Sequence, residues 1–384
     1  MTTARPHAAV FRHAVLHASE TFVKNQVESM RLLEPTLFGV ERVDGLVPDV
    51  RTALLRESGP LGALRAPVFQ LTRRSGWLRR AMARTRPDVV VAHFAQDAWR
   101  IAPTARRLGV PLVVMCHGSD VLMDDDAAAR AGRSNRQLVG HWPDLADAAA
   151  LFVASSQLVA DALVARGVPA EKVVMRYLGV RLPAVPSTAG GAREGVLSVG
   201  RLIRNKGGAD LLRAHTRVVH ARPGTRLTFV GEGSERGALE ALARELGLAD
   251  VVRFEGLAPP ERVAELMESC AVLAAPSIPV GDGTSESFGQ VVVEAGSRLL
   301  PVVAYATGGL PEAVGAGDDA GGVLVPTGDV DALASAIDAF LGDPVLVAET
   351  GRRGRARAER LFELDACTRA IETAVLSVVE RGRS

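Results

Sequence analysis

Residues 281–296, GDGTSESFGQVVVEAG, run from a loop rich in Gly, Asp and Ser into a helix predicted to begin near Phe288. Glu286 lies just before the first helical turn, and Glu294 lies about two turns further on, roughly 12 Å along the helix axis. The N–H groups at the start of a helix have no intrahelical partner, so they favour an anion such as phosphate. The stretch therefore predicts a phosphate site between two carboxylates that can accept hydroxyl groups.

The amides that would face this anion belong to Ser287, Phe288, Gly289 and Gln290. Gly289 has no Cβ, which leaves room for a close approach of the ligand to the backbone. A diphosphate with a sugar on one side and a ribose on the other has the shape of a nucleotide sugar. The pattern alone is equally consistent with a capped surface helix that carries two solvated acids.

The composition indicates a globular chain of two domains. The 384 residues are too many for one ordinary core, and 47% of them are hydrophobic and 23% charged. A net charge of +1 gives no electrostatic reason to expect a nucleic-acid partner. The three cysteines, Cys116, Cys270 and Cys367, are far apart and form no CxxC pair. We therefore expect neither a zinc site nor disulfides, as in a protein of a reducing compartment.

Apolar runs of strand length alternate with helical patterns along most of the chain. The strands predicted from these runs are residues 7–16, 35–40, 88–93, 111–116, 151–154, 195–199, 226–230, 251–254, 271–275, 301–304 and 322–325. The main predicted helices are residues 19–33, with Ser19 as N-cap, and residues 95–108, 157–166, 207–221, 235–246 and 259–268. Residues 61–86 are predicted to be mostly helical. Continuous Val-rich strands between helices favour a parallel sheet covered on both faces.

The alternation stops at residues 183–194, PAVPSTAGGARE, whose Pro, Gly, Ser and Thr content is typical of a linker, and it restarts at Gly195. The fold class predicted is therefore α/β, with two doubly wound, Rossmann-like parallel-sheet domains. We expect an N-terminal domain over residues 1–182 and a C-terminal domain over residues 195–364.

A basic turn follows the first strand of the second half. Gly200 and Arg201 end this strand, and Lys206 lies in the turn before the next helix. Arg201 and Lys206 could both face a diphosphate held at the helix start. Of the 45 basic residues only Lys24, Lys172 and Lys206 are lysine, which makes the choice of Lys here notable. The alternative is a solvated basic turn, and no Walker loop is present.

In the first half, His117 follows the buried strand 111–116, and His93 ends the strand before it. Reacting groups of an open α/β sheet lie at such strand ends, so the two imidazoles are expected to share one rim. A lone histidine is more often structural, which is our interpretation of His93 taken by itself, and the pair favours a functional His117. Three adjacent acids, Asp124–Asp126, project in different directions from a loop, so we expect solvated side chains there and no metal site.

Residues 64–87 contain seven arginines and no acid. Leu71, Leu78 and Met82 fall on one face of a predicted helix, with Trp77 near its edge, although Gly76 argues against an unbroken helix. A basic amphipathic helix can lie on an anionic membrane, and the alternative is the exposed side of an ordinary domain helix. No apolar run approaches a membrane span and residues 1–10 lack a signal-peptide core, so we expect a cytoplasmic protein with possible peripheral membrane contact through residues 65–86.

The second half resembles the retaining nucleotide-sugar glycosyltransferases of GT-B fold, in the large family 4 group known as glycosyl transferases group 1. The matching segments, in family order, are SVGRLIRNKG (198–207), FVGEG (229–233), VRFEGL (252–257), APSIPVGDGTSESFGQVVVEA (275–295), PVVAYATGGLPEAV (301–314) and GGVLVPTGD (321–329). The first half is similar more loosely, through SETFVKNQ (19–26), AHF (92–94) and HGSD (117–120), to enzymes of exopolysaccharide and colanic-acid type.

The resemblance implies a role for each motif residue. Arg201 and Lys206, next to Gly200, would hold the donor diphosphate, and the amides from Phe288 to Gln290 would contact its distal phosphate. Glu286 would contact the donor sugar, Glu294 the ribose and Leu257 the base. His117 would contact the sugar, with its carbonyl near the reacting centre. The family retains anomeric configuration and uses no divalent metal or other cofactor, and residues after about 364 would return to the first domain.

Two departures from the family pattern stand out. Leu299 replaces a glycine that usually precedes the next strand, and residues 19–22 replace a Gly-Gly pair after the first strand. We expect the acceptor side to involve Ser19, Thr21, Lys24 and His93. Our hypothesis for Lys24 is that it binds a negative group of the acceptor, such as a lipid diphosphate.

The sequence thus predicts a glycosyltransferase that moves a sugar from a UDP- or GDP-sugar to a hydroxyl acceptor. The product would be an exopolysaccharide, a glycolipid or a natural-product glycan. The alternatives are a nucleotide-sugar epimerase of the same architecture and a catalytically silent protein that binds nucleotide sugars.

Overall fold

A computed structural model describes residues 5–17, 19–59, 61–130, 136–184, 193–281 and 284–382. The chain divides into two compact units. Unit 1 comprises Met1–Gly179 and Leu364–Ser384, and unit 2 comprises Val180–Glu363. Residues 185–192 of the predicted linker lie outside the described residues. No helix of the described segments has both the length and the apolar character that a membrane-spanning helix needs.

Unit 1 contains a seven-stranded parallel sheet of order β5-β3-β1-β6-β7-β8-β9. Its strands are β1 (His7–Phe11), β3 (Glu34–Gly39), β5 (Thr52–Leu54), β6 (Val89–His93), β7 (Leu112–Cys116), β8 (Leu151–Ala154) and β9 (Val173–Met175), and β2 (Ala14–Val15) pairs with β4 (Glu41–Arg42). The helices before Gly179 are α1 (Thr21–Ser29), α2 (Gly62–Thr72), α3 (Gly76–Thr85), α4 (Ala95–Leu108), α5 (Asp125–Arg130), α6 (Trp142–Ala148) and α7 (Gln157–Ala165).

Both faces of this sheet are buried, which explains the continuous apolar runs. In β6, Val90 and Ala92 belong to a core cluster on one face, and Val89 and Val91 belong to a cluster on the other. Successive strand residues point to opposite faces, so a strand between two cores needs apolar residues at every position. The same pattern in β1 and β7 places the carboxyl ends of all three strands at one edge of the sheet.

Unit 2 contains a six-stranded parallel sheet of order β12-β11-β10-β13-β14-β15. Its strands are β10 (Val196–Val199), β11 (Leu227–Val230), β12 (Val252–Gly256), β13 (Val272–Ala275), β14 (Val302–Tyr305) and β15 (Gly322–Val325). Its helices are α8 (Gly208–Ala221), α9 (Arg236–Glu245), α10 (Pro260–Ser269), α11 (Gln290–Ser297), α12 (Leu310–Val314), α13 (Val330–Gly342) and α14 (Pro344–Leu361). The predicted α/β class with two Rossmann-like sheets is confirmed.

A further helix, α15 (Leu364–Arg381), belongs to unit 1 although the chain reaches it from unit 2. Ile371 and Val375 join the core cluster that covers one face of the unit 1 sheet. Glu372 is buried, and its Oε1 accepts hydrogen bonds from the backbone N–H groups of residues 31, 32 and 33 at 2.8–2.9 Å. The helix therefore completes both the core and the hydrogen bonding of unit 1.

The structure corrects two predicted helix starts and locates a break within a third helical segment. Residues 61–86, predicted to be mostly helical, form two helices, because Arg73 has a left-handed φ of +56° and Ser75 caps α3 by accepting a bond from the Leu78 amide at 3.1 Å. Ser19 is not the N-cap of α1, since that position is held by Glu20, which makes no side-chain cap bond. The predicted start near Phe288 is displaced to Gln290, because Gly289 has a φ of +90°.

Candidate functional site

The strand order of unit 2 reverses between β10 and β13. Such a reversal opens a crevice at the carboxyl ends of the strands, where open α/β sheets bind ligands. Gly200 and Arg201 follow β10, and Pro276 and Ser277 follow β13. An open pocket of about 470 Å³ lies here. Among the residues that line it are Gly200, Arg201, Lys206, Ser277 and Glu286.

The turn after β10 is held tightly against the loop after β13. Residues Arg204–Lys206 form a single helical turn that ends at Gly207, whose φ is +67°. A Cβ at Gly207 would overlap the carbonyl oxygen of Pro276, so only glycine fits this position. The amide of Ile278 also donates to the carbonyl oxygen of Asn205 at 2.9 Å. These contacts fix the turn that carries Lys206 over the loop that leads to Glu286.

Lys206 and Glu286 form an ion pair inside the pocket. The Glu286 side chain is 14% exposed and that of Lys206 is 28% exposed, so the pair is only partly screened by water. Ser277 is buried, and its Oγ lies 3.5 Å from the same Glu286 oxygen. Arg201 is exposed beside them, and among the described residues its guanidinium pairs with no carboxylate. At the position predicted for the diphosphate, the pocket therefore contains one cation paired with a carboxylate, Lys206, and one cation, Arg201, that is unpaired in the described segments.

Two glycines fix the backbone of the loop that carries Glu286. The amide of Gly309 donates to the Glu286 carbonyl oxygen at 2.8 Å. Gly308 has a φ of +58°, and a Cβ there would overlap the same carbonyl oxygen. Further along, the ring of Phe288 is buried and packs edge-on against Phe362, with the ring centroids 5.4 Å apart. The loop from Glu286 to α11 is thus held from two sides.

Six predicted donor residues do not line this pocket: Leu257, Ser287, Phe288, Gly289, Gln290 and Glu294. Glu294 lies on α11, and burial raises the pKa of its carboxyl to about 7, although Arg298 acts in the opposite direction. The Glu294 carboxylate forms no hydrogen bond or ion pair within the described part of the chain. Leu257 follows β12 and is 75% exposed, which leaves its side chain open to a flat ligand group.

In unit 1 the two predicted histidines meet at the ends of β6 and β7. Nδ1 of His93 and Nε2 of His117 are 3.0 Å apart, and the two rings are nearly parallel. Both side chains are buried, and Nδ1 of His117 has no hydrogen-bond partner. The rings of Phe22 and Phe94 both lie 4.7 Å from the His117 ring, measured between centroids. His117 thus sits in a mostly apolar enclosure.

This enclosure keeps both imidazoles neutral. Burial, and then the nearby Arg12 cation, lower the pKa of His93 to about 3, although Asp97 acts in the opposite direction. Burial also places the pKa of His117 well below its usual value, with further contributions from His93 and Arg12. A neutral imidazole can donate a hydrogen bond to a sugar hydroxyl or accept one from it, and its charge does not change near pH 7.

The chain matches two family models that together cover most of its length. Residues 20–182 match the model described as Glycosyltransferase Family 4, and residues 187–357 match Glycosyl transferases group 1. The chain is also 31% identical over 375 residues to a D-inositol 3-phosphate glycosyltransferase of Streptomyces griseus, with 85% of this chain and 77% of that protein covered. The chain belongs to the group 1 glycosyltransferases.

The relatives of this glycosyltransferase also include a putative colanic acid biosynthesis glycosyltransferase, WcaL of Escherichia coli. The two are 29% identical over 297 residues, which covers 74% of this chain and 70% of that protein. The predicted family is therefore confirmed, including its likeness to colanic-acid-type enzymes.

Two solved structures show the fold of the glycosyltransferase. Sucrose-phosphate synthase from Thermosynechococcus elongatus superposes with a TM-score of 0.77 at 23% identity and covers 98% of this chain and 100% of that chain. HepE from Anabaena, solved in complex with UDP, gives a TM-score of 0.72 at 22% identity and covers 97% of this chain and 100% of that chain. The GT-B fold predicted from the motifs is confirmed.

Sequence reasoning missed a buried charge network at the end of β1, where the strand order of unit 1 reverses. Arg12 pairs with Glu20 at 2.6 Å and with Asp97 at 2.5 Å, and Asp97 also pairs with Arg100 at 2.7 Å. Asp97 is fully buried, and the two arginines hold its pKa below its usual value. The strand predicted over residues 7–16 ends at Phe11, which places Arg12 at this reversal. A charged residue inside an apolar run was the available signal.

The predicted acceptor residues lie at the start of α1 and beside this network. Ser19 is exposed, Thr21 begins α1, and His93 is buried against His117. Lys24 pairs with Glu28 one turn along α1 at 2.7 Å, and Glu28 also accepts a bond from the amide of residue 49. Lys24 is therefore already neutralised, and an acceptor anion would have to compete with Glu28 for it.

Among the described residues no group of three or more His, Cys, Asp or Glu side chains is arranged to hold a metal ion. In the acidic run Asp124–Asp126, Asp125 pairs with Arg166 at 2.9 Å. Among the described residues that line the unit 2 pocket, Arg201 and Lys206 are the cations available to meet negative charge.

Proposed function

We propose that this glycosyltransferase moves a sugar from a nucleoside diphosphate sugar to an acceptor hydroxyl with retention of anomeric configuration. In the reaction the bond between the anomeric carbon and the diphosphate oxygen breaks, and a bond from the same carbon to the acceptor oxygen forms. The acceptor proton leaves with the diphosphate or to solvent. The products are the glycosylated acceptor and a nucleoside diphosphate.

The observation that carries this proposal is the Lys206–Glu286 pair in the pocket at the strand reversal of unit 2. A donor diphosphate has two negative groups, and Arg201 and Lys206 would hold them. Glu286 would then accept hydroxyls of the sugar from the position where it now pairs with Lys206. Two turns that are held against each other would thus bind the leaving group with the Lys206 cation and orient the sugar with the Glu286 carboxylate.

The chemistry asked of these residues is electrostatic. Negative charge develops on the diphosphate as the glycosidic bond lengthens, and fixed cations stabilise that charge more strongly in a partly dry pocket than in water. Arg201, Lys206 and the amides from Phe288 to Gln290 would supply this stabilisation without a metal. Glu294 would accept the ribose hydroxyls, and exposed Leu257 would cover the base.

On the acceptor side we place His117, with its neutral ring against the sugar and its carbonyl near the reacting centre. Ser19, Thr21, Lys24 and His93 would bind the acceptor around it. If Lys24 binds an acceptor anion, Lys24→Ala should raise the acceptor KM without lowering donor affinity. An unchanged acceptor KM would remove Lys24 from the site.

We place the reaction in the cytoplasm and in the synthesis of an exopolysaccharide or a related glycan. The likeness to WcaL supports the pathway, and three buried cysteines without disulfides fit a reducing compartment. HepE has been solved with UDP-glucose, which makes UDP the first nucleotide to try here.

The deciding experiment measures thermal stability against UDP, GDP, dTDP, CDP and ADP, each with and without EDTA. A ligand at 100 times its Kd stabilises the folded state by about 2.7 kcal/mol, which gives a clear shift of the melting temperature. One nucleotide should shift the midpoint equally with and without EDTA. A folded protein that responds to none of the five would refute a donor site in unit 2.

Turnover then separates transfer from the alternatives. The donor for this assay is a sugar of the nucleotide that stabilises the protein. Without an acceptor we expect slow hydrolysis of this donor, and with an acceptor we expect faster release of the nucleoside diphosphate. Conversion of the donor to an isomeric nucleotide sugar would instead indicate an epimerase, and binding without any turnover a silent binding protein. Glu286→Ala should lower kcat much more than nucleotide affinity, whereas equal losses would indicate a binding role only.

A further inference from the structure

Helix α2 in unit 1 exposes a row of four aliphatic side chains. Leu61, at its N-cap, is 54% exposed, Leu64 is 66%, Val68 is 55% and Leu71 is 67% exposed. They are four of the most exposed large hydrophobic side chains of the described residues, and they lie together. We call them the α2 row. Scattered apolar residues on a surface are ordinary, but a contiguous row indicates an interaction surface.

The α2 row lies on a different face of α2 from the residues that pack into the core. At about 100° per residue, its four positions fall within an arc of roughly 80° on the helical wheel. The residues by which α2 packs into unit 1, Gly62, Ala66 and Phe69, are buried and centre on the opposite side. The helix is thus apolar on two faces, and folding of unit 1 uses only one of them.

The surroundings of the α2 row carry positive charge. An open depression of about 720 Å³ joins the row to the start of α3, and Arg65, Arg74, Arg80 and Trp77 contribute to its lining. No carboxylate of the described segments lines this depression, and residues 61–86 contain seven arginines and no acid. Arg74, Arg79, Arg80, Arg84 and Arg86 are exposed, whereas Arg73 stacks on Trp99 at 3.7 Å.

The structure corrects the apolar face expected from sequence. Leu78 and Met82 were expected to share a face with Leu71, but both are fully buried in the unit 1 core. Arg73 ends α2 with a left-handed backbone, so the two helices turn different faces to solvent. The exposed apolar surface is therefore that of α2, and α3 contributes cations.

We propose that the α2 row and its arginines dock on the surface of an anionic lipid bilayer. An interfacial helix places Leu or Trp among the acyl chains and Arg among the headgroups, which is the set of residues found here. A protein partner with acidic groups would match the charge, but binding hot spots on proteins are rich in Trp, Tyr and Arg and poor in Leu and Val. The purely aliphatic row therefore favours lipid.

The charge makes the docking selective for membrane composition. Anionic headgroups attract basic residues only within about one Debye length, which is about 8 Å at physiological ionic strength. Arg74 and Arg80 line the same depression as Leu61, Leu64 and Val68, so insertion of the α2 row would bring these two arginines to headgroup depth. With a neutral bilayer, only the apolar side chains of the α2 row would contribute to binding.

The test is co-sedimentation of the full chain with vesicles of phosphatidylcholine alone or mixed with phosphatidylglycerol. We expect roughly tenfold or stronger binding to the mixed vesicles, with a marked loss at high salt. The double variant Leu64→Ser/Leu71→Ser keeps the charge and should lose about tenfold in binding to the mixed vesicles. Arg74→Gln/Arg80→Gln should remove most of the preference for anionic lipid.

Matched controls come from unit 2. Val345→Ser removes a valine that is 64% exposed on α14, and Arg352→Gln removes an exposed arginine of the same helix. Both should bind vesicles like the unmodified chain. The α2 variants change exposed side chains, so their melting temperatures should match those of the controls, which rules out misfolding as the cause of lost binding.

Three results would overturn the proposal. They are equal binding to both kinds of vesicle, unchanged binding of the Leu64→Ser/Leu71→Ser variant, and tight binding to soluble polyglutamate with no binding to vesicles. The last would indicate an acidic protein partner instead. The proposal is independent of the transfer reaction, since nucleotide-induced stabilisation reports on the unit 2 pocket whether or not α2 binds lipid.

Discussion

Lys206 and Glu286 are 80 residues apart in the chain, yet their side chains pair at the strand reversal of unit 2. Each comes from a different turn, and the two turns are locked together by the contact of Gly207 with Pro276. The pair is partly buried, so removal of one partner leaves the other charge poorly solvated. A ligand that separates the pair must therefore offer negative charge to the lysine and hydroxyl groups to the carboxylate.

Lys206→Ala should lower kcat/KM by roughly 100- to 1000-fold, the usual effect of removing one group that stabilises leaving-group charge. Lys206→Arg should restore part of the activity, because the charge returns on a longer and planar group. Steady-state kinetics with the donor identified by the nucleotide panel measures both. Arg204→Ala, an exposed cation of the same turn, is the control and should change kcat/KM little. Equal losses in the two alanine variants would contradict a specific role for Lys206.

Gly308→Ala should destabilise the loop that carries Glu286. Gly317 provides a matched control, because its φ of +56° is nearly the same as the +58° of Gly308 while nothing lies near its would-be Cβ. Gly317→Ala should cost only the backbone penalty of about 1–2 kcal/mol. Gly308→Ala should cost more and should also weaken nucleotide binding, since its Cβ meets the carbonyl of Glu286. Melting temperature and nucleotide titration measure the two effects, and similar behaviour of both variants would contradict the proposed clamp.

Glu294 should make both stability and nucleotide affinity depend on pH. Its pKa in the folded state is about 7, above its value of 4.5 in an unperturbed chain, so the folded state holds a proton that the unfolded state releases between these values. Stability should therefore fall as pH rises from about 4.5 to 7, and Glu294→Gln should remove this part of the pH dependence.

Nucleotide affinity should change in the opposite sense, because an ionised carboxylate accepts ribose hydroxyls more strongly than a protonated one. The ratio of the affinities of the unmodified chain and Glu294→Gln should rise as pH passes through about 7. Use of the ratio cancels the titration of the nucleotide phosphate itself. A ratio that stays constant with pH would show that Glu294 does not contact the nucleotide.

Leu299→Gly should stabilise unit 2. Leu299 has a φ of +61°, a left-handed conformation that costs a residue with a Cβ about 1–2 kcal/mol. Glycine removes this cost, although a more flexible unfolded chain and the loss of the half-buried side chain offset part of the gain. Leu299→Ala keeps the strained backbone and loses the side chain, so melting temperatures should decrease in the order Gly, Leu, Ala. A higher melting temperature for Leu299→Ala than for Leu299→Gly would contradict backbone strain at this position. The kcat of both variants should stay unchanged.

The sequence predicted the central strands of both sheets because these strands are buried on two faces and read as unbroken apolar runs. It missed β5 and β9, which have three residues each and lie at the edges of the unit 1 sheet. A strand this short has no periodic pattern to detect. The helical segment predicted over residues 61–86 is interrupted for a local reason, since Arg73 adopts a conformation that its type does not favour.

The candidate site was predictable where a motif carried it and not where distant residues meet. The rarity of lysine singled out Lys206, and strand ends singled out His93 and His117. No sequence pattern shows that Lys206 reaches Glu286 or that Arg12 reaches Asp97, because each pair joins separate crossovers of a sheet. The left-handed backbone of Leu299 gives a physical reason for the glycine that the family resemblance led us to expect at that position.

Helix α15 also has a consequence for how the molecule is made. Ribosomes synthesise the first 179 residues of unit 1, then all of unit 2, and only then the helix whose Glu372 binds the backbone of residues 31–33. Unit 2 is one uninterrupted segment and has its whole core as soon as it emerges. Vectorial synthesis commonly lets the first domain fold first. Here one face of the earlier unit's sheet is complete only after the later unit has been translated.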